Sequence, residues 1–194
     1  MTAILKPPIS VEQYLEFELT AEHRHEYVDG KLIQMPGESK NANRICRNLI
    51  RLTDEILLDR GLEAFFQDVK ARTKNRRYRY PDFIVAPITE NEDPYVVDNP
   101  LLLAEVVSPG SEQTDYDTKL AEYAEIPGLR YYLIIKQDRP GVLVYQFENG
   151  RSEVTITNGL DSTIVLPEFD LQIPLRDLYA HVHFPEPDEE PATD

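Results

Sequence analysis

Arg79-Tyr80-Pro81-Asp82-Phe83-Ile84-Val85 and, one loop later, Leu101-Leu102-Leu103-Ala104-Glu105-Val106-Val107 are the stretches that decide how this chain reads. Both are continuous apolar runs bounded by Pro, Asn or Gly, the pattern of strands covered on both faces. Each carries a carboxylate. An ionised acid in such a strand is costly unless a hydrogen-bond partner, an opposite charge or a metal ion meets it. Asp82 and Glu105, on neighbouring strands, would repel one another, and a divalent cation between them would turn that repulsion into attraction. Mg²⁺ suits the purpose, since it prefers hard oxygen ligands and is commonly held by one or two carboxylates. The plainer alternative is that Pro81-Asp82 opens a strand as a turn dipeptide while Glu105 pairs with a Lys or Arg.

Working outward, Lys70, Arg72, Lys74, Arg76, Arg77 and Arg79 place six cations within the ten residues 70–79, just before Tyr80-Pro81-Asp82. They read either as a phosphate-contacting strip, with Lys70, Lys74, Arg76, Arg77 and Arg79 as nucleic-acid-binding candidates, or as a solvated hairpin face. The net charge of −15 argues against whole-surface attraction to nucleic acid or to an anionic membrane. Residues 185–194, with five acids and three prolines, read as a disordered acidic tail.

The 194 residues suit one domain, residues 1–184, with ordinary globular fractions of 41% hydrophobic and 28% charged residues. A single cysteine, Cys46, excludes an internal disulfide and any multi-cysteine zinc site, and makes a reducing cytoplasm the simplest compartment. No signal-like segment or membrane-length apolar run is present.

Ser10-Val11-Glu12-Gln13 has the form of a capping box opening a helix to about residue 19, and Asp29-Gly30 turns a hairpin within residues 25–35. The spacing of Ile45, Leu49, Leu52, Ile56 and Leu57 predicts a helix over residues 40–60. Strands are expected at residues 62–71, 78–86 and 100–107, the first two joined by a basic turn. A third helix is expected at 115–125, then a hairpin of residues 129–136 and 142–147, short strands near 153–157 and 163–166, and a helical turn at 174–179. That order describes an α/β or α+β fold: a mixed central β-sheet flanked by helices. Serine-nucleophile chemistry is excluded because Ser108-Pro109-Gly110 lacks a Gly-x-Ser-x-Gly elbow, and no Gly-rich phosphate loop occurs. The pairs His23/His25 and His181/His183 have no evident third metal ligand.

The ordered set Tyr80-Pro81-Asp82, Glu105-Val106-Val107-Ser108-Pro109, Asp115 with Lys119 and Tyr123, and Leu129-Arg130-Tyr131-Tyr132 resembles the PD-(D/E)XK nuclease-like superfamily, and within it the Uma-type restriction-endonuclease family. Glu26 with Asp29-Gly30, residues 68–72 and residues 178–184 extend the similarity over nearly the whole globular part. The resemblance implies a restriction-endonuclease-like core and a Mg²⁺- or Mn²⁺-dependent endodeoxyribonuclease acting on DNA. Metal would be held by Asp82, Glu105 and the carbonyl of Val106. A lysine two residues after the Glu would orient the attacking water, but Val107 stands there. Lys119, on the following helix, is the candidate replacement and Lys70 the second, with Glu26 an additional acid. Lys119 reads alternatively as a helix-surface lysine or the partner of Asp115. Such nucleases often work as homodimers. A nuclease-like fold that binds nucleic acid or protein without cutting, and a purely structural interaction protein, are the competing readings.

Overall fold

The first helix has its start written in four residues. In the computed structural model, which describes residues 8–74, 76–90, 93–108 and 114–185, α1 spans Val11–Glu18, and the Ser10 hydroxyl accepts from the Gln13 N–H. The Gln13 side chain accepts in return from Ser10 N, so two donors that the helix start would leave unpaired are satisfied. The hairpin of β1 (His25–Val28) and β2 (Lys31–Gln34) follows. Its turn residues Asp29 and Gly30 have φ of 50° and 83°, the primed geometry matching strand twist. A Cβ on Gly30 would lie 2.3 Å from Pro8 Cβ, so the crossing of the N-terminal segment also requires glycine.

Helix α2 (Lys40–Leu58), capped by Ser39, buries Ala42, Ile45, Leu49 and Leu57 along one face. The next expected strand, residues 62–71, is two: β3 (Leu62–Phe66) and β4 (Lys70–Arg72) belong to different sheets. Gln67, with φ 59°, breaks the extended run between them. β4 pairs with β5 (Tyr78–Arg79) across the basic turn, and β3 pairs antiparallel with β6 (Phe83–Pro87). After β7 (Val96–Val97) comes β8 (Leu102–Val107), every residue of which is buried.

The helix expected at 115–125 is a π-helical segment, Thr114–Lys119, running into a short α3 (Leu120–Tyr123). The chain then forms β9 (Tyr131–Lys136), β10 (Gly141–Glu148) and β11 (Arg151–Asn158). It ends with β12 (Thr163–Leu166), β13 (Leu171–Pro174) and α4 (Leu175–Leu178).

These strands make three sheets, not the single one expected: a six-stranded sheet β11-β10-β9-β8-β6-β3, a five-stranded sheet β2-β1-β5-β4-β7, and the β12-β13 pair. The sheets are mixed, since β8 and β9 run parallel, as do β4 and β7, among antiparallel neighbours. One face of the six-stranded sheet packs Phe83, Leu102 and Leu133 against α2, β12-β13 and α4. The opposite face packs Ile84, Leu103, Val107 and Tyr132 against Tyr123 and Ile126 beyond α3. Among the described residues no helix is long and apolar enough to cross a membrane. The expected break at residues 109–111 and the acidic tail beyond Pro185 lie outside the described residues.

Candidate active site

The register of β6 against β8 builds the site. Phe83 pairs with Ala104 and Ile84 with Leu103, and the same antiparallel register carried one residue further sets Asp82 opposite Glu105. Directly opposed residues project to the same face at close Cβ spacing, so both acids leave the sheet on the side of α3. Val106 N–H donates to Asp82 Oδ2 at 2.6 Å. On the β9 side, Gln137 N–H donates to the Val107 carbonyl. Because backbone groups alternate in direction along a strand, the Val106 carbonyl faces the Asp82 side. Two carboxylates and a main-chain carbonyl therefore converge.

Glu105 is 4% exposed and has internal partners. Its Oε1 accepts from Tyr123 Oη at 2.8 Å, and Lys119 Nζ lies 3.0 Å from Oε2. Burial, then the Glu105 charge, pushes the Tyr123 hydroxyl well above its ordinary range, which keeps it a donor. Lys119 also lies 3.7 Å from Glu26 Oε1. Asp82 keeps partial access to the cleft. Desolvation, followed by the negative charge of Glu105, raises its carboxyl well above the ordinary 3.8, against the Val106 N–H and the Lys119 ammonium. Glu38 raises it further.

The acids, Lys119, Glu26 and Glu38 line a cleft of about 380 Å³. It adjoins a larger one of about 670 Å³ that shares Asp82, Glu38 and Tyr80. Among the described residues no trio of His, Cys, Asp or Glu side chains is arranged as a metal site. The donor set on offer is two side-chain carboxylates plus a carbonyl, all hard oxygen, which fits Mg²⁺ or Mn²⁺ chemically.

Lys119 reaches the acids, and the π-helical segment brings it there. Such wide turns rotate the side chains that follow, and Arg79 fixes the helix by donating to Glu122 at 2.9 and 2.6 Å. Lys70, the second lysine candidate, does not reach them. It is buried against Tyr80 and Tyr95, its Nζ 3.4 Å from Tyr80 Oη, and burial lowers its pKa. Tyr80 Oη in turn donates to the buried Glu18.

The basic strip divides. Arg79 is 2% exposed and clamps Glu26 and Glu122, while Arg77 bridges Asp29 and Glu122. Arg76 is exposed but pairs with Glu12, and Lys74 is exposed on the turn. Thus Lys70 and Arg79 spend their charges inside the protein, and Arg77 largely does. Position in an alternating strand could have foretold this, because residues of such a run cannot all face solvent. Sequence reasoning missed Glu38, an exposed-looking acid before α2, and Glu122, whose spacing resembles any helix-surface glutamate. His25 lies 3.2 Å from Glu18, and His183 meets Asn41 through its main chain, so neither histidine pair forms a metal cluster.

Opposed acids at a strand end beside a lysine-bearing helix, on a mixed sheet flanked by helices, define a nuclease-like protein. The chain belongs to the Uma2 family, described as putative restriction endonuclease, whose model matches residues 11–176. Two uncharacterized proteins of Synechocystis are similar: one is 34% identical over 66% of this chain and 75% of its own, the other 30% identical over 72% and 74%. In fold, the chain resembles the crystal structure of a putative nuclease belonging to DUF820 from Anabaena variabilis. The TM-score is 0.73 at 22% identity, covering 89% of this chain and 98% of that one.

Proposed function

We propose that the protein is a divalent-metal-dependent endodeoxyribonuclease, with Asp82, Glu105 and the Val106 carbonyl as metal ligands. The observation that carries the reading is the cross-strand opposition of Asp82 and Glu105 over a cleft that also holds Lys119. A bound Mg²⁺ or Mn²⁺ would make a water acidic enough to attack a phosphodiester. The ammonium of Lys119 is the group able to donate to that water and to meet negative charge building on the phosphate. Tyr123 holds Glu105 in place through the Oε1 bond, and Glu26 restrains Lys119 from the far side. Glu26 is thus a positioning residue in this reading. Of the original strip, Lys74 and Arg76 remain as phosphate-contact candidates.

Cleavage of supercoiled plasmid in Mg²⁺ or Mn²⁺, abolished by EDTA and by Asp82→Ala or Glu105→Ala, tests the proposal. Lys119→Met should lower the rate by about 10²–10³, the usual loss when one preorganised donor is removed. A second reading, a binding module that does not cut, draws on Lys119 already neutralising Glu105 at 3.0 Å. Folded protein with no cleavage on any nucleic acid in either metal would favour it.

A further inference from the structure

Helix α2 has an outer face that the core does not use. Lys40, Arg44, Arg47 and Arg51 follow one another at intervals of four, three and four residues, which keeps them on one stripe. The stripe lies opposite Ala42, Ile45 and Leu49, which enter the core. It runs about 16 Å at 1.5 Å per residue. One strand of B-form DNA presents four or five phosphates over that axial length, at about 3.4 Å each. Among the described residues, none of the four forms an ion pair, and Arg44 donates only to the Asn41 side chain. In the strip of residues 70–79, by contrast, Arg72, Arg76, Arg77 and Arg79 are all paired with carboxylates.

The stripe leads to the acids. Lys40, Arg44 and Arg47 line the cleft of about 670 Å³ that Asp82 also lines. The N-terminus of α2, with its partial positive charge, opens at the same place. In a chain of net charge −15, a local run of uncommitted cations is what allows a polyanion to approach at all. The cleft has little of a stacking platform. Its tyrosine, Tyr80, is buried with its hydroxyl on Glu18, which leaves the small exposed ring of His23, whereas single strands are normally held by successive exposed aromatic rings.

We infer that the Lys40-Arg44-Arg47-Arg51 face of α2 is the surface that binds the phosphate backbone of duplex DNA and delivers it to the Asp82 cleft. This rests on the hydrolase reading for the purpose of the contact, though not for its existence. The test is binding of a short labelled DNA duplex by the full chain in EDTA, titrated with salt. Arg47→Gln with Arg51→Gln should weaken binding about tenfold and flatten the salt slope by about 0.9 per lost contact. Arg151→Gln with Arg176→Gln, exposed cations that line neither cleft, should change neither. Arg47→Lys with Arg51→Lys should keep the slope, and an unaltered circular dichroism spectrum excludes unfolding as the cause. Unchanged affinity in the Gln pair, absence of duplex binding by the parent chain, or equal preference for single-stranded DNA or duplex RNA would each overturn the inference. Because no metal is present, stripe-dependent binding without plasmid cleavage would leave the surface standing and remove the hydrolase. Cleavage indifferent to the stripe would do the reverse.

Discussion

At the scale of single residues, Asp82 bears the cost of the site. Its folded carboxyl is raised above the ordinary 3.8 by desolvation and by Glu105, so between those two values the folded state holds a proton that the unfolded chain has released. Stability therefore falls as pH climbs through this interval and is recovered on acidification. Asp82→Asn should melt higher than the parent at neutral pH, and the gap should close towards pH 4 in a pH series of thermal scans. Mg²⁺ or Mn²⁺ should stabilise the parent by about 2.7 kcal/mol at a hundredfold excess over Kd, seen as a raised melting temperature, and leave Asp82→Asn unmoved. An Asn variant less stable at every pH would contradict the electrostatic account. Asp82 and Glu105 were legible in the sequence because acids interrupt apolar strands there. The partner of Glu105 was not legible from spacing, since Lys119 lies 14 residues away on another element, and its identification came from resemblance.

Elements show where local pattern suffices and where it fails. The capping box of α1, the Asp29-Gly30 hairpin and the length of α2 were all readable, since each is decided within a few residues. Ser39→Ala should cost about 1 kcal/mol in urea unfolding, because Ser39 Oγ accepts from Ala42 N–H at 3.0 Å and caps α2. The split between β3 and β4 was not readable. It turns on the positive φ of Gln67 and on which sheet each half joins, and non-local pairing decides that. The basic strip is an intermediate case: alternation foretells that some of its cations turn inward, but the acids that receive Arg79, Glu26 and Glu122, come from distant elements. Arg79→Ala should cost about 3–5 kcal/mol, the usual penalty for stranding buried charges. Lys74→Ala, on an exposed turn, should stay within about 0.5 kcal/mol. Equal effects of the two would remove the distinction drawn between inward and outward cations.

Over the whole molecule, the sequence conveyed the class, a mixed sheet with helices, but not its division into three sheets, because sheet membership depends on partners distant in the chain. It conveyed net charge but not which cations are already spent, and so pointed at residues 70–79 when the uncommitted stripe runs along α2. The six-stranded sheet supplies both acids from adjacent buried strands, whereas Lys119 comes from the junction of the π-helical segment and the four-residue α3. Val107, where a lysine would otherwise rise from the strand itself, is 1% exposed and packed into the core. The proposed catalytic set is therefore a joint between a rigid slab and a small lever, and short helices open locally at lower free energy than buried strands. Inactivation should run ahead of denaturation: urea should abolish cutting while the slab still keeps its slowest-exchanging amides protected.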